Sequence, residues 1–375
     1  MEHLSPMNRK IALVITLVLL VSMFFTQVSA QDTNDSGSLV FEPAVCAYVP
    51  DKPTSDACLK LMEAHPKPEL ETVDQDRATL SLYSFWKVGP DAVNKYDAPG
   101  GNIVETIPKG FNFVNVLDDS VDGWLKIEGG DWIDKNVAKY VEPSYFTGVL
   151  LPDDWSQPFA WVLDTTQIYA SLIPGGPSSS ESGYVTHRYD LVNIFAEAKD
   201  SDGWTWFMIG PNQWIKQTFV SRVQPVEQPE GVSGRWVGVD LYEQTLVAYE
   251  DDKPVFATLV SSGLEKWSTD EGIFPIWAKM PKDAMAGATG APDSYALQSV
   301  PWVMYFDGSV SLHGTYWHDL FGYRRSHGCV NLSISDARWI FEWTAKSTPD
   351  KDGNIVNDVY VYSSGTYGAP TATGI

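Results

Sequence analysis

Asp122-Gly123-Trp124 recurs eighty residues later as Asp202-Gly203-Trp204, and this repeat is the strongest constraint on what the chain can fold into. Trp132-Ile133 returns as Trp214-Ile215, and a proline follows each tryptophan by eleven residues, at Pro143 and Pro225. Upstream, Phe113-Val114-Asn115-Val116 matches Leu191-Val192-Asn193-Ile194, and Pro99-Gly100-Gly101 matches Pro174-Gly175-Gly176. The order is the same in both copies, so one unit is used twice, over 79–145 and 146–227. Each copy reads as a Pro-Gly-Gly turn, an alternating strand, an Asp-Gly turn and tryptophan-bearing strands. Strands this short bury one face each, and small closed β-barrels suit them.

After the second copy, Gln224-Pro225-Val226-Glu227-Gln228-Pro229-Glu230-Gly231 has the composition of a linker, which places a boundary at 228–235. Beyond it Val237, Val239 and Leu241 alternate, as do Thr245, Val247 and Tyr249. An acidic turn at Asp251-Asp252 leads into Val255, Ala257 and Leu259, so an antiparallel meander opens a third domain over 236–362. A chain of 375 residues supports two or three cores, and helical periodicity is scarce, so the protein reads as mainly β. From Ser363 the residues are small and polar with Gly and Pro, which predicts a disordered tail over 363–375.

Arg9 and Lys10 precede an apolar run from Ile11 to Phe25, broken by Thr16 and Ser22, and Val28-Ser29-Ala30 follows. That order is a secretory leader, residues 1–30, cleaved after Ala30. The alternative is an uncleaved anchor, but the run falls short of the ~20 apolar residues a spanning helix needs. No later segment is apolar enough to cross a membrane, so an exported chain with no integral span after leader removal is expected.

Export makes the three cysteines informative. Cys46 and Cys58 lie close together in the segment 31–78, and a disulfide between them would contribute about 3 kcal/mol by the chain-entropy estimate. Cys329 is then the unpaired thiol. The net charge is −22, or −23 once Glu2, Arg9 and Lys10 (together +1) are removed. Such acidity argues against nucleic acid or anionic membrane as a partner and says nothing positive about substrate.

The unpaired thiol sits in Ser326-His327-Gly328-Cys329-Val330-Asn331, sixteen residues after His313-Gly314-Thr315. A free thiol with a pKa near ~8.5 is only a few per cent ionised at neutral pH. An imidazole within reach can take its proton and later return it to a leaving group. Cysteine, base and a glycine-bearing turn are the parts of an acyl-transfer site. A zinc site is the competing account, but the spacing matches no pattern of paired ligands, so no metal and no organic cofactor is expected.

With Pro301-Trp302-Val303-Met304-Tyr305-Phe306, Asp240-Leu241-Tyr242-Glu243-Gln244, Ser261-Ser262-Gly263 and Gly272-Ile273-Phe274, these motifs make residues 236–362 resemble the L,D-transpeptidase catalytic domain of the YkuD family. Asp270 departs from the pattern, standing where a proline commonly follows Thr269. The two repeats resemble, on glycine, tryptophan and spacing alone, the bacterial SH3-like domains found in tandem on cell-wall enzymes. These resemblances imply two small SH3-like barrels followed by a β-sandwich-like catalytic domain with a short helix. The helix fits Ser335 to about Ala345, where Ser333-Ile334-Ser335-Asp336 resembles a capping box and Ala337, Ile340 and Trp343 share a face.

The catalytic resemblance implies transfer of an acyl group from a peptidoglycan stem tetrapeptide with release of D-alanine, at the cell wall or elsewhere outside the cytoplasm. Cys329 would be the nucleophile and His313 the acid–base, its other ring nitrogen oriented by a carbonyl near Gly314. Gly328 would let N–H groups around Cys329 face the oxyanion. His327 and Tyr305 would border that pocket, Ser326 and Asn331 brace the turn, and Arg325, with Arg324, offers a guanidinium to a substrate carboxylate. His318 is the rival base, but it precedes Asp319 in a predicted loop and lacks the His-Gly-Thr context. Met280 to Gln298 reads as a lid or as a plain connection. Water as acceptor would make the protein an L,D-carboxypeptidase, and a catalytically silent domain would leave a wall-binding protein. The repeats, on this reading, attach the chain to the cell wall with raised avidity or act as spacers.

Overall fold

Alternation from Arg235 onward produces the meander its pattern demands: Arg235–Asp240, Thr245–Glu250 and Lys253–Leu259 pair antiparallel in sequence. The computed structural model describes residues 45–163, 166, 168–288, 290–347 and 356–369; the expected leader lies outside the described residues. Asp358–Tyr362 adds in parallel to Arg235–Asp240, Gly272–Pro275 follows it, and Val149–Leu150 and Glu71–Thr72 extend the other edge to seven strands.

A second sheet carries Val330–Leu332, Val310–Gly314 and the long Tyr295–Asp307, which also hairpins with Ala278–Gly287. The two sheets face each other as a sandwich. Val237, Val239, Leu246 and Phe256 of the first meet Met304, Phe306, Leu312, Val330 and Leu332 of the second. Helix Ile334–Thr344 closes this core with Ala337, Ile340 and Trp343, the face its spacing predicts. Ser333 caps it by accepting from the Asp336 N–H at 3.1 Å. Asp336 does not return the bond of a capping box. Its buried carboxylate instead accepts from the Gly148 N–H at 2.8 Å and the Thr258 hydroxyl at 2.6 Å, and burial pushes it up to about 6.

The repeat is visible in the pairing register. Phe85 opposes Asn115 in the first copy as Phe159 opposes Asn193 in the second, and Leu125–Ile133 corresponds to Phe207–Ile215. Each copy ends in a 3-10 turn, Lys135–Val137 or Gln217–Phe219, followed by a strand that pairs back on the first.

The sheets are not closed into the small barrels that the pattern suggested. In the first copy, Phe111–Asp118 also pairs in parallel with the long strand of the third domain, Phe111 opposite Tyr295 and Phe113 opposite Leu297, so its edge is covered by another domain's strand and an eleven-stranded sheet results. In the second copy the strands divide into two three-stranded sheets. The boundary segment is packed as well: Val232 and Val223 join a cluster with Trp236 and Tyr249, and the Val226 N–H donates to the Tyr249 hydroxyl at 3.0 Å. Nor are residues 363–369 a loose tail. The Ser364 N–H donates to Asp240 at 3.1 Å, and Tyr367 lies under the Arg324 guanidinium; residues 370–375 lie outside the described residues. Cys46 and Cys58 are joined by a disulfide, and Cys329 is free.

Candidate active site

Val310–Gly314 and Val330–Leu332 run parallel, with Leu312 opposite Val330, His313 opposite Asn331 and Gly314 opposite Leu332. Side chains alternate across a strand, so Leu312, Val330 and Leu332 enter the sandwich core. His313, Cys329 and Asn331 turn the other way, into a cleft of about 460 Å³. One periodicity thus separates chemistry from core.

The Cys329 sulfur is half-buried, 3.7 Å from the Ser311 hydroxyl and 3.9 Å from the Ser309 carbonyl. Burial pushes the thiol up, and the N–H and hydroxyl of Ser311 pull the other way. His313 is 2% exposed, and burial lowers it to about 4. Its Nδ1 lies 3.2 Å from the Gly314 carbonyl, an acceptor, which assigns the proton to Nδ1 and leaves Nε2 with the lone pair. Among the described residues no hydrogen bond joins His313 to Cys329. Both environments favour the neutral thiol and the neutral imidazole.

The turn before Cys329 is held from several sides. Ser326 Oγ accepts from the Gly328 N–H at 3.1 Å and donates to the Cys329 carbonyl. Gly328 has φ +119°, in the region that favours glycine. Thr269 donates to the Gly328 carbonyl at 2.7 Å and accepts from the Gly263 N–H at 3.0 Å. Gln244 grips Ser262 with both amide atoms, and the Ser262 carbonyl accepts from the N–H groups of Arg325 and Ser326. The Gly328 N–H is therefore committed to Ser326. Among the described residues, no backbone hydrogen bond engages the Cys329 N–H.

Asn331 and His318 form a buried pair at 2.9 Å. His318 Nδ1 accepts from the Leu320 N–H at 3.3 Å, so in the neutral ring the proton sits on Nε2. That proton needs an acceptor, while Asn331 Oδ1 is buried without a partner. Assigning Oδ1, not Nδ2, to the position facing His318 gives the ring N–H its acceptor. Burial first, then the charge of Arg325, lowers His318 to about 3, so it stays neutral.

His327 also lines the cleft, its ring 3.8 Å from the Trp267 centroid and 4.9 Å from that of Tyr295. Arg325 is exposed at the mouth. Tyr305 is not among the lining residues; its hydroxyl donates to Asp283 at 3.0 Å and its ring stacks on Trp277. Gly314 lies behind the histidine, where a Cβ would come within 3.0 Å of Pro301 and 3.1 Å of the Ile334 backbone. The Met280–Gln298 stretch forms the long hairpin, and its Met285, Asp293, Tyr295 and Leu297 wall the cleft.

Sequence reasoning missed Ser311, Trp267, Trp317 and Phe111. Counting two residues back from His313 finds Ser311; no local signal marks Phe111. Among the described residues no three His, Cys, Asp or Glu side chains converge as metal ligands do.

Residues 234–361 match the family model described as the L,D-transpeptidase catalytic domain, YkuD, and this part of the chain is such a domain. The chain is similar to the Bacillus subtilis protein YciB, provisionally described as an L,D-transpeptidase: 23% identity over 167 residues, 41% of this chain and 75% of that protein. Among solved structures it is similar to an L,D-transpeptidase from Stackebrandtia nassauensis, at 27% identity over 38% of this chain and 60% of that one, TM-score 0.28. It is also similar to the catalytic domain of the E. faecium L,D-transpeptidase, at 25% identity over 35% of this chain and 99% of that one, TM-score 0.29. The chain thus spans less than two thirds of the Stackebrandtia structure's length. Among the described residues no helix is long and apolar enough to cross a membrane.

Proposed function

We propose that the protein is an exported L,D-transpeptidase that cross-links peptidoglycan stem peptides through a thioester on Cys329. The observation that carries this is the shared cleft wall of Cys329, His313 and Asn331, set by the register of two parallel strands. Cys329 Sγ attacks the carbonyl of the third stem residue, and its proton passes to His313 Nε2. The C–N bond to D-alanine then breaks, and the amine departs with the proton from His313. An acceptor amine attacks the thioester, His313 takes its proton, and the thiol is restored. The Cys329 N–H stabilises the tetrahedral oxyanion, a contribution typically of ~2.7–4 kcal/mol per donor.

Residues 31–375, incubated with a disaccharide-tetrapeptide muropeptide, test the reading by mass spectrometry. A cross-linked dimer lacking one D-alanine is expected, and none with Cys329→Ala. Tripeptide monomer alone would replace transpeptidation by carboxypeptidation, and dimer formed by Cys329→Ala would remove the thioester. The repeats are proposed to hold the enzyme on the wall. Cys329→Ala protein that stays in the supernatant when purified sacculi are pelleted would remove that role.

A further inference from the structure

The cleft is not built by the third domain alone. Phe111 belongs to the first repeat, yet its ring lines the cleft with Met285, Leu297 and Trp317. It is held there firmly. The Phe111 N–H donates to the Ser294 carbonyl at 2.8 Å, the Ser294 hydroxyl donates to the Lys109 carbonyl at 2.8 Å, and Phe111 is in register with Tyr295. Gly110 permits the approach, since a Cβ there would lie 2.5 Å from the Ser294 carbonyl oxygen. Phe111 remains 38% exposed, although its strand neighbours Asn112 and Phe113 are buried. An aromatic ring fixed by backbone pairing and left open to a cleft is an apolar contact surface that a ligand can cover. The Lys87 ammonium lies 5.3 Å from the centre of the Phe111 ring; among the cleft-lining residues the charged groups are Lys266 and Asp293, paired at 2.7 Å, and Arg325.

We propose that the first repeat is a wall of the substrate cleft and that Phe111 is a specificity-determining residue. Its ring takes the alkyl chain of a long side chain on the donor stem peptide. This rests on the transpeptidase reading, and the experiment separates the two. Full-length Cys329→Ala protein, with and without Phe111→Ala or Phe111→Leu, is titrated by calorimetry with two tetrapeptide muropeptides. One carries a long diamino residue at position three and the other carries alanine there. Phe111→Ala should weaken the long-chain ligand about tenfold, Phe111→Leu should recover most of the loss, and the alanine ligand should change little.

In the active chain the same substitution should raise KM for the long-chain donor with kcat within about twofold, the pattern of lost uniform binding. Alkylation of Cys329 by iodoacetamide and the Tm should not change. Wild-type turnover with equal affinities for both Phe111 variants would overturn the wall. Equal losses for the two ligands, or a shifted alkylation rate, would reduce Phe111 to a structural part. Loss of long-chain binding in a chain without turnover would keep the wall and sink the transpeptidase reading. No binding by any form would sink both.

Discussion

Burial raises the Cys329 thiol and drops His313 to about 4, and both shifts favour uncharged groups. A preformed thiolate–imidazolium pair would require the opposite shifts. Iodoacetamide alkylation reads the thiolate directly. The rate at Cys329 should stay low through pH 6–7 and climb only on the alkaline side, and His313→Ala should barely alter it at neutral pH. A plateau already reached near pH 5 would establish the ion pair instead. His318 gives a second prediction. Burial favours its neutral form and Leu320 and Asn331 engage both ring nitrogens, so we expect a supporting role and not that of the base. His318→Ala leaves Asn331 Oδ1 unpaired, worth ~1–3 kcal/mol. It should slow turnover and keep the shape of the pH profile, whereas His313→Ala should abolish acyl-enzyme formation. Equal losses from both would restore His318 as a rival. These roles were only partly legible: His-Gly-Thr and Ser-His-Gly-Cys are contiguous, but the His318–Asn331 pair depends on a loop folding back over a strand.

At the scale of single elements, the helix Ile334–Thr344 was readable because cap and apolar face are local patterns. What its third residue does was not. Asp336 is spent on Thr258, from the strand Lys253–Leu259, and on Gly148, at the start of the second repeat. Its carboxyl is raised to about 6 from an ordinary value of 3.8. Between those values the native state binds a proton that the unfolded chain has released, so this group's contribution falls as pH rises from about 4 to 6. Asp336→Asn keeps an acceptor for Gly148 and cannot ionise. Its Tm should therefore match wild type near pH 4 and exceed it at pH 8. Asp336→Ala leaves two buried donors unpaired and should cost about 2–4 kcal/mol near pH 4 and less at pH 8, where ionisation has already weakened the wild type. A wild-type minus Asn difference that does not vary with pH would mean the carboxyl is not displaced from its ordinary range.

At the scale of the molecule, the repeat was legible from the first tryptophans and its architectural use was not, because the pairing of Phe111 with Tyr295 joins segments far apart in sequence and leaves no local trace. Closed barrels would have made the first copy a detachable module. The open sheet makes it structural support for His313, the proposed acid–base. Phe85, 1% exposed, stacks on Tyr316 with centroids 3.6 Å apart, Tyr316 packs edge-on against Trp317, and Trp317 lies 5.5 Å from the His313 ring. Glu128 of the same copy bonds Asn115, Ser299 and Lys282, tying the repeat to the cleft hairpin. Phe85→Ala should therefore do two things. It should cost about 3–5 kcal/mol of stability, the usual range for a buried phenylalanine, seen as a lower urea midpoint. It should also slow acylation of Cys329 by substrate at temperatures well below the transition, because Tyr316 loses the surface that fixes the ring behind His313. Phe159, the equivalent position in the second copy, packs against Trp161 and Trp155, and its ring contacts meet the cleft at His318, by the longer path through Trp161, Phe146 and Phe321, and not at the ring behind His313. Phe159→Ala should lower stability comparably and leave the acylation rate of the folded protein unchanged. If the two variants slow acylation equally, the loss is general loosening of the fold. A difference confined to Phe85 assigns the first repeat to the catalytic unit.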